Sequence, residues 1–305
     1  MNRIIDIGFI GLGNMGRPMA ARLAEAGFNL TVFDLNSRVL KSFSRQYRAK
    51  SAADASQAGH NKHAVITMLP DGDTVRRVVL EEGRRGTPPL LLSMPPKAVL
   101  IDMSSSSPSG TRGLGHILAK QGIAMIDAPV SGGVGRAKSG TLAIMAGGQK
   151  TLIKRCRPLL QTMGDRIFQT GPLGSGHAMK VLNNLVSAAG LLAAAEALIV
   201  GRRFNLDPAV MIDVLNSSTG RNNSTENKFK QFILSRTFDS GFSLDLMLKD
   251  LSTAVQMARE SRTPALFSSA CRELWAAAQS TLPEGADHTA VVCWLEEVAR
   301  EKLVG

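Results

Sequence analysis

The chain opens with the run Ile4-Ile5-Asp6-Ile7-Gly8-Phe9-Ile10, rich in β-branched and aromatic residues and ended by Gly11, a pattern that predicts a buried strand. Alanines, Leu23 and Arg22 then favour helix over 15–26, and Gly27 stands where a helix C-terminal glycine belongs. Leu30-Thr31-Val32-Phe33 predicts a second strand, closed by Asp34. Together these elements span about thirty residues, the length of one right-handed strand–helix–strand crossover. Further apolar runs at 64–69, 99–103 and 123–126 each end in polar or proline turns, so they predict successive parallel strands with loops at their carboxyl ends. In an open parallel sheet that edge is where ligands bind. Residues 142–145, between Gly140 and Gly147-Gly148, predict one more short strand.

Past Gly176 the pattern changes to long Ala- and Leu-rich periodic segments at 177–203, 208–216, 244–260 and 264–278. The expected organisation is therefore an α/β domain over 1–165 and an all-helical domain over 166–305, with a long interdomain helix near 175–203. A chain of 305 residues suits two such cores. The stretch 181–200 is apolar enough to raise a membrane span, but Asn183, Asn184, Ser187 and Glu196 interrupt it, so a buried helix and no membrane are expected.

Hydrophobic residues at 44% and charged residues at 20% exclude the disordered class. Cys156, Cys271 and Cys293 are scattered, with no pair spaced for a zinc site, so no metal is expected. The first ten residues lack the basic start and apolar run of an export signal, and a reducing cytoplasmic setting fits. The net charge of +11 is uneven, since residues 1–165 hold 22 Lys and Arg against 11 Asp and Glu while residues 166–305 hold 14 against 14. Such a field attracts dinucleotide phosphates and a small carboxylate substrate; it would also attract nucleic acid, but aromatic residues at 5% offer little for base stacking, and nucleic acid is not expected.

Gly11-Leu12-Gly13-Asn14-Met15-Gly16 matches G-x-G-x-x-G between a predicted strand and a predicted helix, with Asp34 eighteen residues beyond. The first glycine permits the tight turn, the second lets a pyrophosphate approach the backbone, and the third allows close helix–strand packing. A helix N-terminus then offers N–H groups and partial positive charge to the phosphates. Asp34 can accept from both ribose hydroxyls and repel a 2′-phosphate, which favours NAD; Arg38, four residues on, leaves NADP open.

From Gly8 to Gly16 the sequence resembles the opening signature of the β-hydroxyacid dehydrogenases, a family that includes 3-hydroxyisobutyrate dehydrogenase and tartronate semialdehyde reductase. The likeness continues through Asp127-Ala128-Pro129-Val130-Ser131-Gly132-Gly133, Gly140-Thr141-Leu142, Gly174-Ser175-Gly176 with Lys180 to Asn184, and Lys249-Asp250-Leu251. The resemblance implies a Rossmann-type doubly wound domain followed by an all-α domain, and hydride transfer between NAD(P) and a small 3-hydroxy acid related to 3-hydroxyisobutyrate, glycerate or threonate.

It also implies roles for single residues. Lys180 matches the catalytic lysine, and hydride chemistry can use it: as the hydride leaves, the hydroxyl proton must also go, and a positioned amine of lowered pKa can take it. Asn184, four residues later, shares its helix face and can hold the lysine or substrate. Ser131, Gly132 and Gly133 are expected to cradle the substrate carboxylate with a hydroxyl and successive backbone N–H groups. Lys249 matches the second lysine, facing the nicotinamide end, and Leu69, Pro70 and Ser105 stand at strand ends that touch the cofactor. The register within Ser104 to Ser107 is open by one residue.

Relatives that reduce imines replace the lysine, so Lys180 argues against that activity. Arg221, in a polar stretch between helices, is a candidate for pairing with a second substrate carboxylate, with a surface role equally open. The apolar 177–203 segment and the family habit imply a homodimer or homotetramer. The alternative from another class is a non-catalytic dinucleotide-binding or nucleic-acid-associated protein, against which the Lys180 and Asn184 pair and the low aromatic content speak.

Overall fold

The computed structural model describes residues 4–83 and 86–303, so the first three residues of the amino-terminal segment lie outside it. Two compact units divide the chain, Met1–Lys180 and Val181–Gly305.

The first unit is built on a nine-stranded sheet of β1 (Asp6–Ile10), β2 (Asn29–Phe33), β3 (Lys50–Ser51), β4 (Ala64–Thr67), β5 (Val99–Asp102), β6 (Ala124–Asp127), β7 (Val130–Ser131), β8 (Ala143–Gly147) and β9 (Arg166–Gly171). Its order is β3-β2-β1-β4-β5-β6-β8-β7, with β9 paired to β8. The six strands from β3 to β6 in that order run parallel; five correspond to the predicted runs, and β3, two exposed residues, lies outside them. β8 then runs antiparallel to β6 and β7, and β9 parallel to β8. β9 joins this sheet and the unit runs to Lys180, so the expected division at 165 and 166 assigned to the second domain a strand that belongs to the first.

Alternation along the strands builds two cores. Ile7, Phe9, Ile66, Ile101 and Ile126 share one cluster of buried side chains, whereas Ile10, Val65, Leu100 and Met125 belong to another. Side chains as buried as Phe9 and Ile66 each contribute roughly 2 kcal/mol through the apolar surface withdrawn from water. The sheet is packed on both faces, and its carboxyl edge carries the loops that follow β1, β4 and β5.

The second unit is helical. Helices Pro208–Asn216 and Leu244–Glu260 match their predicted bounds, and Leu266–Thr281 covers most of the predicted 264–278. Local chemistry sets their starts: Asp207 accepts from Ala209 N and Val210 N, and Ser243 accepts from Leu246 N, in each case meeting N–H groups that a first helical turn leaves open. The helices Asn223–Asn227 and Val291–Ala299 were not legible beforehand. Trp275, fully buried, sits in this unit's core. The helix Ser175–Arg203 begins in the first unit and continues into the second. By length and composition it could cross a membrane, and half of its most apolar stretch is buried inside the chain. Ala188, Leu191, Ala195 and Leu198 pack in the second core, the soluble use of such an apolar helix.

Candidate active site

Strand register places Ile10, Phe33, Thr67, Asp102 and Asp127 in one row across the sheet, at the carboxyl ends of β1, β2, β4, β5 and β6. The residues just beyond extend the ladder: Gly11 N donates to Phe33 O at 2.9 Å, Met68 N to Ile10 O at 2.9 Å, Met103 N to Thr67 O at 2.9 Å and Ala128 N to Asp102 O at 2.7 Å. The glycine turn and the loops after β4, β5 and β6 therefore leave the sheet from a common edge, while Ser131 pairs with Ala143 at the far end of β8.

The glycine turn fits a dinucleotide. A Cβ on Gly11 would overlap the backbone oxygen of Met68, and one on Gly16 would overlap that of Gly11, so both glycines are needed to pack the turn. Gly13 differs: a Cβ there would meet no atom within 4 Å, which leaves an open approach over the backbone of the kind a pyrophosphate requires. The helix Gly16–Glu25 follows with no acid in its first turn and, among the described residues, no side chain capping its start, so its N–H groups suit an anion. Asp34 ties the turn to the end of β2, accepting from Leu12 N at 2.6 Å and from Asn36 N at 2.7 Å. Each carboxylate oxygen keeps a lone pair for a ribose hydroxyl.

Three of the four consecutive serines bond to different neighbours. Ser104 Oγ accepts from Leu69 N at 2.9 Å, Ser106 Oγ donates to Asp102 Oδ2 at 2.8 Å, and Ser107 Oγ caps the helix Pro108–Lys120 through Gly110 N. Ser104 and Ser106 are buried, while Ser105 is only half-buried, at the position given to the cofactor contact. Leu69 is half-buried and Pro70 exposed at the end of β4.

Beneath this loop lies a polar cluster that sequence reasoning missed. Asp102 also accepts from Thr67 Oγ1 and Ser104 N, each at 3.0 Å. Asp127 accepts from Gly174 N and His177 N, each at 2.7 Å, and so caps the first turn of the helix that carries Lys180. The His177 ring is fully buried, with Nδ1 2.8 Å from Thr111 Oγ1 and Nε2 3.1 Å from Ser104 O. Asp127 stood in a quoted motif, but its partners lie about fifty residues away, so only the rule that a buried carboxylate needs partners pointed to it.

Lys180 is half-buried in the last turn of the first unit. Ser131 ends β7, and Gly132 and Gly133 follow with φ of 133° and 67°, a region that favours glycine. In the second unit Asn184 is buried and donates from Nδ2 to Asp250 Oδ2 at 2.6 Å, while Lys249 Nζ lies 3.2 Å from Asp250 Oδ1. Asp250, quoted only as part of a motif, thus joins two assigned residues. Arg221 lies exposed, 3.6 Å from Glu226, away from this group's bonds.

Residues 6–171 match the NAD binding domain of 6-phosphogluconate dehydrogenase, and residues 174–295 match the NAD-binding region of NADP-dependent 3-hydroxyisobutyrate dehydrogenase. The chain is 37% identical over 276 residues to 3-hydroxyisobutyrate dehydrogenase of Pseudomonas aeruginosa, covering 88% of this chain and 91% of that one. The chain belongs to the β-hydroxyacid dehydrogenase family. This β-hydroxyacid dehydrogenase is also 35% identical over 264 residues to 2-(hydroxymethyl)glutarate dehydrogenase of Eubacterium barkeri, across 87% of this chain and 86% of the relative. A 3-hydroxyisobutyrate dehydrogenase of Mycobacterium tuberculosis, solved with L-serine, superposes with a TM-score of 0.85 at 32% identity, over 96% of this chain and 99% of that one. As a member of the family it is an NAD(P)-dependent hydroxyacid oxidoreductase.

Proposed function

We propose that the enzyme oxidises a small 3-hydroxy acid with NAD, using Lys180 as general acid and base. The observation that carries the reading is the anchoring of the Lys180 helix, whose first turn Asp127 fixes to the sheet edge where the glycine turn also emerges. When bound, the nicotinamide supplies the hydride acceptor. The Lys180 amine takes the substrate hydroxyl proton as the C–H bond breaks, and in the reverse direction its ammonium returns a proton to the carbonyl oxygen. Asn184, one turn further along the helix, is oriented by Asp250 so that its Oδ1 can accept from the substrate hydroxyl. Ser131 Oγ and the N–H groups of Gly132 and Gly133 bind the carboxylate. Lys249, held beside Asp250, Leu69, Pro70 and Ser105 serve the cofactor.

Asp34 supports NAD over NADP, because a 2′-phosphate near its carboxylate would be repelled. The relatives' substrates point to acids the size of 3-hydroxyisobutyrate, L-serine and 2-(hydroxymethyl)glutarate. The helical unit is read as the substrate and assembly domain, since Phe204, Val210, Val214, Leu266 and Phe267 expose apolar side chains that a homo-oligomer would cover. Three free cysteines suit a reducing cytoplasm.

The test follows nicotinamide absorbance with those three acids, NAD and NADP, in wild type and Lys180→Met. Loss of a proton-transfer group predicts a fall in kcat of about 100- to 10,000-fold with NAD affinity held. Turnover in the variant close to wild type would refute the assignment.

A further inference from the structure

The buried His177 ring serves none of the steps above, yet its two nitrogens reach both ends of one loop. A carbonyl oxygen only accepts, so Nε2 carries a proton and donates to Ser104 O at 3.1 Å. On the other side Nδ1 meets Thr111 Oγ1 at 2.8 Å, and the backbone N–H of Thr111 donates to Ser107 O at 3.0 Å. The ring is thereby bonded to the start of the 104–107 loop directly and to its end through Thr111. It packs between two buried carboxylates, with Asp102 Oδ2 3.7 Å from Nε2 and Asp127 Oδ2 3.8 Å from Nδ1. Asp127 holds the backbone N–H of this same residue, so ring and backbone are both fixed to strand ends. Ser104 in turn accepts from Leu69 N, which extends the linkage to the β4 loop. Lys180 follows three residues later, on the same face of the helix.

We propose that His177 is a positioning residue, which locks the helix bearing Lys180 to the 104–107 loop and so sets the distance between the proton-transfer amine and the cofactor contacts at Leu69 and Ser105. The inference rests on the reading of Lys180 as general acid and base. A rigid ring bonded at both nitrogens transmits position better than a flexible chain, since it has one way to satisfy two partners. Displacement of a reacting group by about 1 Å is enough to cost roughly 100-fold in rate. His177→Ala therefore lowers kcat by about 100-fold, while His177→Gln, which can still donate to Ser104 O, recovers roughly ten-fold of that loss. Thr111→Val, which keeps shape and the backbone bond to Ser107 O but removes the hydroxyl that meets Nδ1, lowers kcat by about ten-fold.

The experiment compares wild type, His177→Ala, His177→Gln, Thr111→Val and Lys180→Met. It measures kcat and the primary deuterium isotope effect with 3-hydroxyisobutyrate labelled at the carbinol carbon, NAD affinity by calorimetry, and melting temperature. The positioning role is supported by a graded loss of kcat, a rising isotope effect as hydride transfer becomes limiting, and an NAD dissociation constant within about three-fold of wild type. Normal kcat and isotope effect in His177→Gln and Thr111→Val would overturn it, whether or not His177→Ala folds or melts lower. An inactive Lys180→Met beside fully active His177 variants refutes the positioning role alone. An active Lys180→Met refutes the Lys180 reading and this inference with it.

Discussion

Substituting the middle glycine of the turn separates folding from cofactor binding. In Gly13→Ala the new methyl meets nothing within 4 Å, and Gly13 lies outside the left-handed φ region, so the folded chain accepts it without strain. Alanine also narrows the unfolded ensemble, which should stabilise the first unit by about 0.4–1 kcal/mol. For a unit of this size that raises its melting temperature by roughly 1–4 °C. The same methyl occupies the approach a pyrophosphate needs, and we expect NAD to bind about 100-fold more weakly, or about 2.7 kcal/mol. The assay is a melting scan with and without NAD at one hundred times the wild-type dissociation constant. Wild type then gains about 2.7 kcal/mol and the variant only about 0.4 kcal/mol. Gly16→Ala behaves oppositely, because its methyl would overlap the backbone oxygen of Gly11, and it should lose about 1–3 kcal/mol even without NAD. A full NAD-induced shift in Gly13→Ala, or destabilisation without ligand, would refute the role given to that position.

Three further outcomes follow from named contacts. Asp34→Asn should lower the NAD-to-NADP ratio of kcat/KM by roughly ten-fold, and it should cost about 1–3 kcal/mol because Leu12 N or Asn36 N loses its acceptor; an unchanged ratio removes the ribose assignment. Ser131→Ala should raise KM for the acid substrates by about ten-fold, as one hydrogen bond to a charged group is lost, with kcat less affected; unaltered kinetics would place the carboxylate elsewhere. Acid should weaken the helical unit. Burial pulls the His288 imidazole below its ordinary 6.5, and although burial pushes the Asp287 carboxyl up, hydrogen bonds from His288 and Thr289 outweigh it and hold the group below its ordinary 3.8. In both cases the unfolded chain binds more protons, so stability is full above pH 6.5 and falls on acidification, by at most about 1.4 kcal/mol per pH unit for each group. Tryptophan fluorescence in urea from pH 8 to pH 4 checks this, and a midpoint constant across that range would contradict it.

What could be read from the chain was local. The glycine turn, the parallel strands and the helices Pro208–Asn216 and Leu244–Glu260 announce themselves because turn residues, alternation and cap side chains lie within a few positions of what they control. β9 escaped notice because an edge strand of sequence Arg-Ile-Phe-Gln-Thr-Gly keeps polar residues toward water. The reversal at β8 depends on pairing with β6 and β7, which no single window contains. Candidate site residues could be named where a motif carries them, whereas His177, Asp102 and Asp250 acquire meaning only from partners dozens of residues distant.

The run Ser104-Ser105-Ser106-Ser107 has a consequence for how such an enzyme can change. Four identical side chains conceal a division of labour, in which one receives an N–H from the neighbouring strand end, one serves a buried carboxylate and one starts a helix. Drift or a mutagenic library at those three positions samples folding yield far more than chemistry. Diversity at Ser105 spares the bonds to Leu69 N, Asp102 and Gly110 N, so it is the position of this run whose change leaves those three supports intact.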